Sequence, residues 1–172
     1  MAVNRMARTI KPPAPLNIEP GVPSVFLAGS IEMGQAEDWQ SVVERSLADL
    51  PSVILNPRRD EWDATWAQSI RNPQFREQVE WELAAQERAT VIAMYFAPPT
   101  KAPVTLLELG LFARSGKVIV CCPDGYWRKG NVEVVCARYG MPVVSSLPEL
   151  ADEVRARLKS ITSREFRPGP AD

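Results

Sequence analysis

The sequence alternates between short apolar segments rich in β-branched residues and longer segments with helical periodicity. This alternation is typical of βαβ units, in which helices join parallel strands. The predicted strands span residues 24–28, 53–55, 90–96, 118–122 and 142–144. The predicted helices span residues 36–50, 73–88, 104–114, 131–139 and 147–158. We therefore predict an α/β fold, a doubly wound sheet of about five parallel strands with helices on both faces.

Prolines are concentrated toward the two ends of the chain. Of the 16 prolines, five lie between residues 12 and 23 and two lie in the last five residues. Such segments favour extended backbone over packed helices or strands. We predict a Pro-rich tail over 1–23, a single domain over 24–162 and a C-terminal tail over 163–172.

The charge balance and the absence of histidine exclude several classes of function. With 20 lysines and arginines against 21 aspartates and glutamates, the formal net charge is −1, which argues against nucleic acid as the main partner. The chain has no histidine, so Ser-His-Asp and Cys-His catalysis and histidine-ligated metals are excluded. Any catalysis must depend on carboxylates, cysteine, tyrosine, lysine, arginine or hydroxyl groups.

The three cysteines, two of them adjacent at Cys121 and Cys122, have neither metal-site nor disulfide-framework spacing. We interpret Cys121 and Cys122 as core residues of a reducing, cytoplasmic protein, and a redox role is the alternative. Residues 1–20 lack the apolar segment of a signal peptide, and no apolar run is long enough to span a bilayer, so no membrane association is predicted. No metal and no cofactor are expected.

Ligands of doubly wound sheets bind at the carboxyl ends of the strands, which directs attention to the loops after residues 28, 56, 96 and 122. In the first loop, Gly29 and Gly34 have the spacing of a phosphate-binding loop, but Gln35-Ala36 replaces the required Lys-Ser/Thr, so a Walker-type NTPase is rejected. Gly29 allows either a close approach of a ligand to the backbone or a plain turn.

Glu108 is the most conspicuous candidate for catalysis. It is the only charged residue in the apolar run 103–113, and burial would raise its pKa or reserve it for a ligand. The alternative is a capping box, Thr105-x-x-Glu108, in which the carboxylate only bonds back to the backbone of Thr105.

Glu82 is the second candidate carboxylate. It follows Phe75 and Val79 at helical spacing, on the edge predicted to face the core. The alternative is a surface salt bridge or a frayed helix face near Arg88.

Polar and aromatic residues follow the second predicted strand and suggest a lid over a nucleoside or nucleotide. Guanidinium groups bind phosphate or carboxylate, and aromatic faces stack on bases or sugars, although packing of tryptophan on the sheet is the alternative. Asn131, in a similar loop after the fourth strand, is either a ligand-binding residue or a helix N-cap. The candidate substrate-binding residues are Gly29, Ser30, Asn56, Arg58, Arg59, Asp60, Trp62, Asp63, Trp66 and Asn131.

Several motifs together resemble the nucleoside 2-deoxyribosyltransferase superfamily, over about residues 24–146. They are Val25-Phe-Leu-Ala-Gly29, the Glu82 helix leading into Val91-Ile-Ala-Met-Tyr-Phe96, and Thr105-Leu-Leu-Glu-Leu-Gly-Leu-Phe-Ala113 followed by Gly116-Lys-Val-Ile-Val120. The resemblance implies a flavodoxin-like fold and cleavage or transfer at the N-glycosidic bond of a nucleoside or nucleotide.

The resemblance also implies roles for single residues. Glu108 would be the nucleophile at the anomeric carbon, and Glu82 would handle the proton of the leaving base. Asn131 would reach a neighbouring subunit's site, which implies a homodimer or a higher homo-oligomer. Arg58 and Arg59 would favour a 5′-phosphate.

Two positions depart from the family pattern. Ala102 stands where the transferases have an aspartate, and Phe26 replaces a tyrosine of the first strand. These departures favour hydrolysis or an altered sugar preference over deoxyribosyl transfer. They also leave a second hypothesis, a non-catalytic module of the same fold that binds a nucleoside or nucleotide.

Overall fold

The computed structural model describes residues 6–31 and 38–165, and it describes the side chains as far as residue 162. Within these residues, strands and helices alternate along most of the chain. The strands are β1 (Arg8–Ile10), β2 (Ser24–Gly29), β3 (Val53–Leu55), β4 (Val91–Tyr95), β5 (Val118–Cys121) and β6 (Val143–Val144). The helices are α1 (Trp39–Leu47), α2 (Pro73–Arg88), α3 (Pro103–Phe112), α4 (Lys129–Tyr139) and α5 (Leu147–Glu165).

The described strands form one parallel sheet in the order β1-β3-β2-β4-β5-β6. From β3 to β6 this is the strand order of flavodoxin-like folds, which reverses direction between β2 and β4. The predicted doubly wound α/β fold is therefore confirmed.

A hydrophobic core lies on each face of the sheet. On one face, α1 and α5 bury Trp39, Val43, Leu47, Leu150, Val154 and Leu158. On the other face, α2, α3 and α4 bury Trp81, Ala85, Leu109, Val132 and Cys136. Strand β4 is buried along its whole length, as a central strand covered on both faces must be. No helix in the described part of the chain is both long and apolar enough to cross a membrane.

The sheet has six strands rather than five because β1 lies inside the segment predicted as an N-terminal tail. β1 pairs in parallel with β3, and Ile10 stands opposite Leu55. Ile10 is buried, whereas Arg8 and Thr9 are exposed, so a three-residue strand in a Pro-rich segment gives little apolar signal. At the other end, α5 continues to Glu165, beyond the predicted helix end and into the predicted tail. The division of the chain into one domain with two tails otherwise stays a prediction.

The starts of α2 and α4 can be compared with the N-caps predicted from the sequence. Asn72 caps α2 as expected: its side-chain oxygen accepts hydrogen bonds from the backbone N–H groups of Gln74 and Phe75. The predicted N-cap role of Asn131 is wrong, because α4 begins two residues earlier and Asn131 lies in its first turn. The predicted start of the first helix, at Ala36, lies outside the described residues.

Candidate active site

The loops after β2 and β4 meet where the strand order reverses, which is the usual ligand crevice of this fold. The hydroxyl oxygens of Ser30 and Thr100 lie 2.6 Å apart and join the two loops. The backbone N–H of Ser30 donates to the carbonyl of Tyr95 at 3.3 Å. Both hydroxyl-bearing residues are buried, so these contacts hold the two loops together at this edge of the sheet.

Gly29 ends β2 in a position with no room for a side chain. A Cβ atom here would stand 2.6 Å from the carbonyl oxygen of Tyr95 and 2.7 Å from the ring of Trp39. This close approach explains the glycine by packing; a ligand contact at Gly29 stays a prediction.

Glu108 lies in α3 and is only 8% exposed. Gln86 of α2 donates its Nε2–H to Oε1 of Glu108 at 2.8 Å. The capping-box alternative is wrong, because α3 begins at Pro103 after Ala102, so Thr105 is already inside the helix. The carboxylate of Glu108 therefore faces a neighbouring helix rather than its own N-terminus.

Glu82 lies in α2 beside the buried face of that helix. Gln78, one turn earlier, donates its Nε2–H to Oε1 of Glu82 at 2.8 Å. Among the described residues Glu82 forms no ion pair, so the predicted alternative of a salt bridge near Arg88 is not what holds it.

The two carboxyl groups have raised pKa values because the protein shields them from solvent: Glu108 is buried and Glu82 is half-buried. Burial raises the pKa of Glu82 to about 7, against the opposing hydrogen bond from Gln78. Burial, and after it the negative charge of Glu82, raises the pKa of Glu108 to about 8, while the Gln86 hydrogen bond lowers it. Because the two groups interact, they titrate as a pair that holds about one proton between these pH values. An acid and a carboxylate that act on the same bond are the combination that glycosidic bond cleavage requires.

The loop after β3 is tied to this pair. Gln78 donates its Nε2–H to the carbonyl of Pro57 at 2.9 Å as well as to Glu82. Next to Pro57, Arg58 donates its Nε–H to Oε1 of Gln40 at 2.8 Å and pairs with Asp38 at 3.4 Å. Asn56 accepts a hydrogen bond from the Arg58 backbone N–H and donates its own amide to Glu44 at 2.7 Å. The structure thus brings Asn56 and Arg58 to the same edge of the sheet as Glu82.

The tryptophans of this loop pack on one another. The ring centroids of Trp62 and Trp66 are 5.1 Å apart in an edge-on arrangement, and the Arg59 guanidinium lies over Trp66 at 5.1 Å. Arg59 also pairs with Glu77 at 2.8 Å. These aromatic surfaces are therefore partly occupied by each other and by Arg59; packing on the sheet and stacking on a substrate both stay predictions.

The two aspartates of the loop lie on its outer surface. Asp60 pairs with Lys11 at 2.7 Å. Asp63 accepts hydrogen bonds from the Thr65 hydroxyl and backbone N–H, which hold its pKa below the usual range. No described contact links either aspartate to Glu82 or Glu108.

The cysteines next to β5 are buried. Burial raises the pKa of Cys121 to about 12 and that of Cys122 to about 11. Because the thiolate is the reactive form, the redox alternative is dismissed.

Residues 22–126, more than half of the chain, match the family described as nucleoside 2-deoxyribosyltransferase like. The chain belongs to the nucleoside 2-deoxyribosyltransferase-like family. Membership supports a role related to glycosyl transfer. A search of curated proteins finds no match.

The departures from the family pattern have structural counterparts. Ala102 is buried and has left-handed backbone, φ 46°, at the start of α3, where its side chain caps nothing. Phe26 is fully buried in the core beneath α2, α3 and α4. Neither position can supply a polar group to the site.

Asn131 is exposed on α4, and no described hydrogen bond links it to Glu82 or Glu108 of its own chain. One turn later, Val134 is 70% exposed, and on the adjacent helix α3 a row of apolar side chains also faces outward. We call this surface the α3–α4 patch; it consists of Val104, Leu107, Leu111 and Val134.

The glutamines that bind the two carboxyl groups were not predicted from the sequence. Gln78, Glu82 and Gln86 recur every fourth residue of α2 and so form one row along the helix. Gln78 and Gln86 are buried, whereas the predicted core-facing residues Phe75 and Val79 are only half-buried. The polar row at helical spacing was the available signal, because long polar side chains on a buried face need partners.

Proposed function

We propose that this chain cleaves, or transfers at, the N-glycosidic bond of a nucleoside or nucleotide, with Glu108 as nucleophile and Glu82 as the proton-handling carboxyl. The observation that carries the proposal is that two carboxyl groups, Glu82 and Glu108, each accept a hydrogen bond from a glutamine of α2 and have pKa values raised by burial, in a member of this family. Within the described part of the chain, neither of these carboxyl groups forms an ion pair with a cation.

In the proposed reaction, Glu108 is the nucleophile and Glu82 is the acid and base. Ionised Glu108 attacks the anomeric carbon as the bond from that carbon to the base nitrogen breaks, and protonated Glu82 gives its proton to the departing base. The product is a glycosyl ester on Glu108. Water or a second base then attacks the same carbon, loses its proton to Glu82 and frees the Glu108 carboxylate.

The neighbouring loops supply the substrate contacts in this proposal. Gly29 and Ser30 lie at the end of β2, and Asn56 and Arg58 lie on the loop that Gln78 ties to Glu82. A guanidinium at this edge favours a substrate with a 5′-phosphate.

The positions Ala102 and Phe26 favour hydrolysis or a changed sugar preference over deoxyribosyl transfer. Both residues are apolar and buried. Ala102 therefore lacks the carboxylate that would position the sugar, and Phe26 lacks the hydroxyl that would orient the nucleophile. The same observation supports the second candidate, a module that binds a nucleoside or nucleotide without turnover.

The proposal includes a homodimer, in which Asn131 of one subunit reaches the site of the other. The α3–α4 patch is apolar and exposed, and surfaces of this kind mark protein interfaces. Asn131 lies beside the patch on α4, so a two-fold contact there would bring it toward the partner's site.

The test is a panel of nucleosides and nucleoside monophosphates incubated with the protein, with and without a free base. We expect base release or base exchange that Glu108→Ala abolishes. Glu87→Gln, an exposed glutamate on α2, is the matched control and should leave turnover unchanged. Activity retained in Glu108→Ala would contradict the assignment of the nucleophile, and thermal stabilisation by a ligand without turnover would favour the binding module.

A further inference from the structure

We propose that Gln86 is a positioning residue that orients the Glu108 carboxylate and favours its ionised, attacking form. The inference rests on the proposed function, because it assigns the group that prepares that nucleophile. It starts from the contact between the Gln86 amide and the Glu108 carboxylate, 2.8 Å long and buried at both ends.

The Gln86 side chain is held from two sides. Its Nε2 group also donates to the backbone carbonyl of Glu82 at 3.3 Å, so both amide hydrogens have acceptors on or next to the carboxyl pair. Gln86 is fully buried, and its own carbonyl oxygen has no hydrogen-bond partner among the described residues. A buried, half-satisfied amide costs free energy, so its presence here calls for a compensating role.

The role of Gln86 concerns which of the two carboxyl groups, Glu82 or Glu108, carries the proton. Attack requires the proton on Glu82 and the charge on Glu108. The charged group that acts on Glu108 among the described residues is Glu82, whose negative charge pushes the proton toward Glu108. The donor bond from Gln86 opposes this push because it stabilises the Glu108 carboxylate.

Gln78 has the opposite effect to Gln86 on the position of the proton. Its amide stabilises the Glu82 carboxylate, which favours the arrangement with the proton on Glu108. The two glutamines of one helix therefore set the balance between the productive and the unproductive arrangement. The Gln86 bond engages Oε1 of Glu108, so in this proposal Oε2 is the atom that attacks the anomeric carbon.

Substitutions that remove one donor at a time separate these roles. Gln86→Met and Gln78→Met keep side-chain length and remove the amide, and Gln86→Asn keeps an amide that is too short to reach Glu108. Gln74→Met, at an exposed position of the same helix, is the control. We would measure kcat and KM from roughly pH 5 to pH 10, because this range brackets both pKa values. Thermal unfolding of each variant is measured as well.

In the unsubstituted protein we expect activity to peak between pH about 7 and about 8, where the pair holds one proton. Gln86→Met should lower the maximal kcat roughly tenfold and move the alkaline limb up by roughly one pH unit, with KM little changed. The limb moves up because the proton on Glu108 then leaves at higher pH. Gln78→Met should move the acid limb up instead, without lowering the maximum.

A purely structural role would lower the activity of both variants and leave both limbs in place. Limbs unmoved in Gln86→Met and Gln86→Asn, in a protein that turns over substrate, would overturn the role of Gln86 alone. An unsubstituted protein with no turnover on the whole panel would instead contradict the proposed function.

Discussion

Gly29 stands so close to Trp39 that a Cβ atom on Gly29 would lie 2.7 Å from the indole ring. Trp39 is fully buried at the start of α1, and its Nε1–H donates to the Ser30 carbonyl at 3.2 Å. The end of β2 and the start of α1 are thereby locked together at the crevice that carries the proposed substrate site.

This close approach predicts a large effect from one methyl group. Gly29→Ala should lower the free energy of unfolding by roughly 1–3 kcal/mol, because neither the Tyr95 carbonyl nor the Trp39 ring can move freely in a packed core. Chemical denaturation of the variant measures this change.

Gly110→Ala is the matched control. Gly110 lies inside α3, and a Cβ atom added there would have no neighbour within 4 Å, so alanine should raise stability by about 0.5–1 kcal/mol through helix propensity. Equal effects of the two substitutions would contradict the packing argument at Gly29.

Local patterns were sufficient to predict most of the fold. The strand over residues 53–55 and the capped start of α2 follow from apolar runs and from the Asn72-Pro73 pair, which act over a few residues. Strand β1 escaped prediction because its partner β3 lies more than 40 residues away along the chain, and only Ile10 carries an apolar signal.

The site was predictable only in part, for a similar reason. The spacing Thr105-x-x-Glu108 fits both a capping box and a buried carboxylate, and the start of α3 at Pro103 decides between them. The contact of Glu108 with Gln86 joins two helices, so no local pattern contains it. The packing of Arg59 on Trp66 is likewise a tertiary contact.

A second prediction concerns substrate phosphate. Arg58→Met should raise KM for a nucleoside monophosphate roughly 10- to 100-fold, because a charged hydrogen-bond donor to phosphate is lost, and should change KM for the nucleoside much less. Arg76→Met, at an exposed position paired with Glu80, is the control. Equal increases of KM for both substrates would argue against a phosphate contact at Arg58.

A third prediction concerns the proposed dimer. Leu107→Glu places a charge in the α3–α4 patch and should convert a dimer to a monomer, as measured by light scattering after size-exclusion chromatography. Ile70→Glu changes an exposed apolar residue outside the patch and should leave the mass unchanged. A monomeric unsubstituted protein would contradict the proposal.

Mixing of inactive variants tests whether Asn131 completes a partner's site. Glu108→Ala and Asn131→Ala should each be inactive alone, but a re-equilibrated equal mixture should regain about a quarter of full activity, since half the dimers are mixed and each has one intact site. An inactive mixture would place Asn131 outside the neighbouring site.

The last prediction is a pH dependence of stability that the carboxyl pair imposes. The pKa values of Glu82 and Glu108 are raised in the folded chain, so folding favours their protonated forms. Their stabilising contribution is complete below the unfolded pKa of about 4.5 and is lost as pH rises toward about 8. The free energy of unfolding should therefore decline across this interval, by roughly a few kcal/mol.

Substitution isolates that decline from other titrations. Glu108→Gln cannot ionise, so the difference in stability between it and the unsubstituted protein should grow in the variant's favour as pH rises from about 5 to about 8. Asp38 and Asp49 have lowered pKa values and so act at the acid side of this interval, in both proteins alike. Glu87→Gln, at an exposed position, should show no such trend. A difference that stays constant with pH would mean that Glu108 ionises as readily in the folded as in the unfolded chain, and the shared proton on which the proposed chemistry depends would be lost with it.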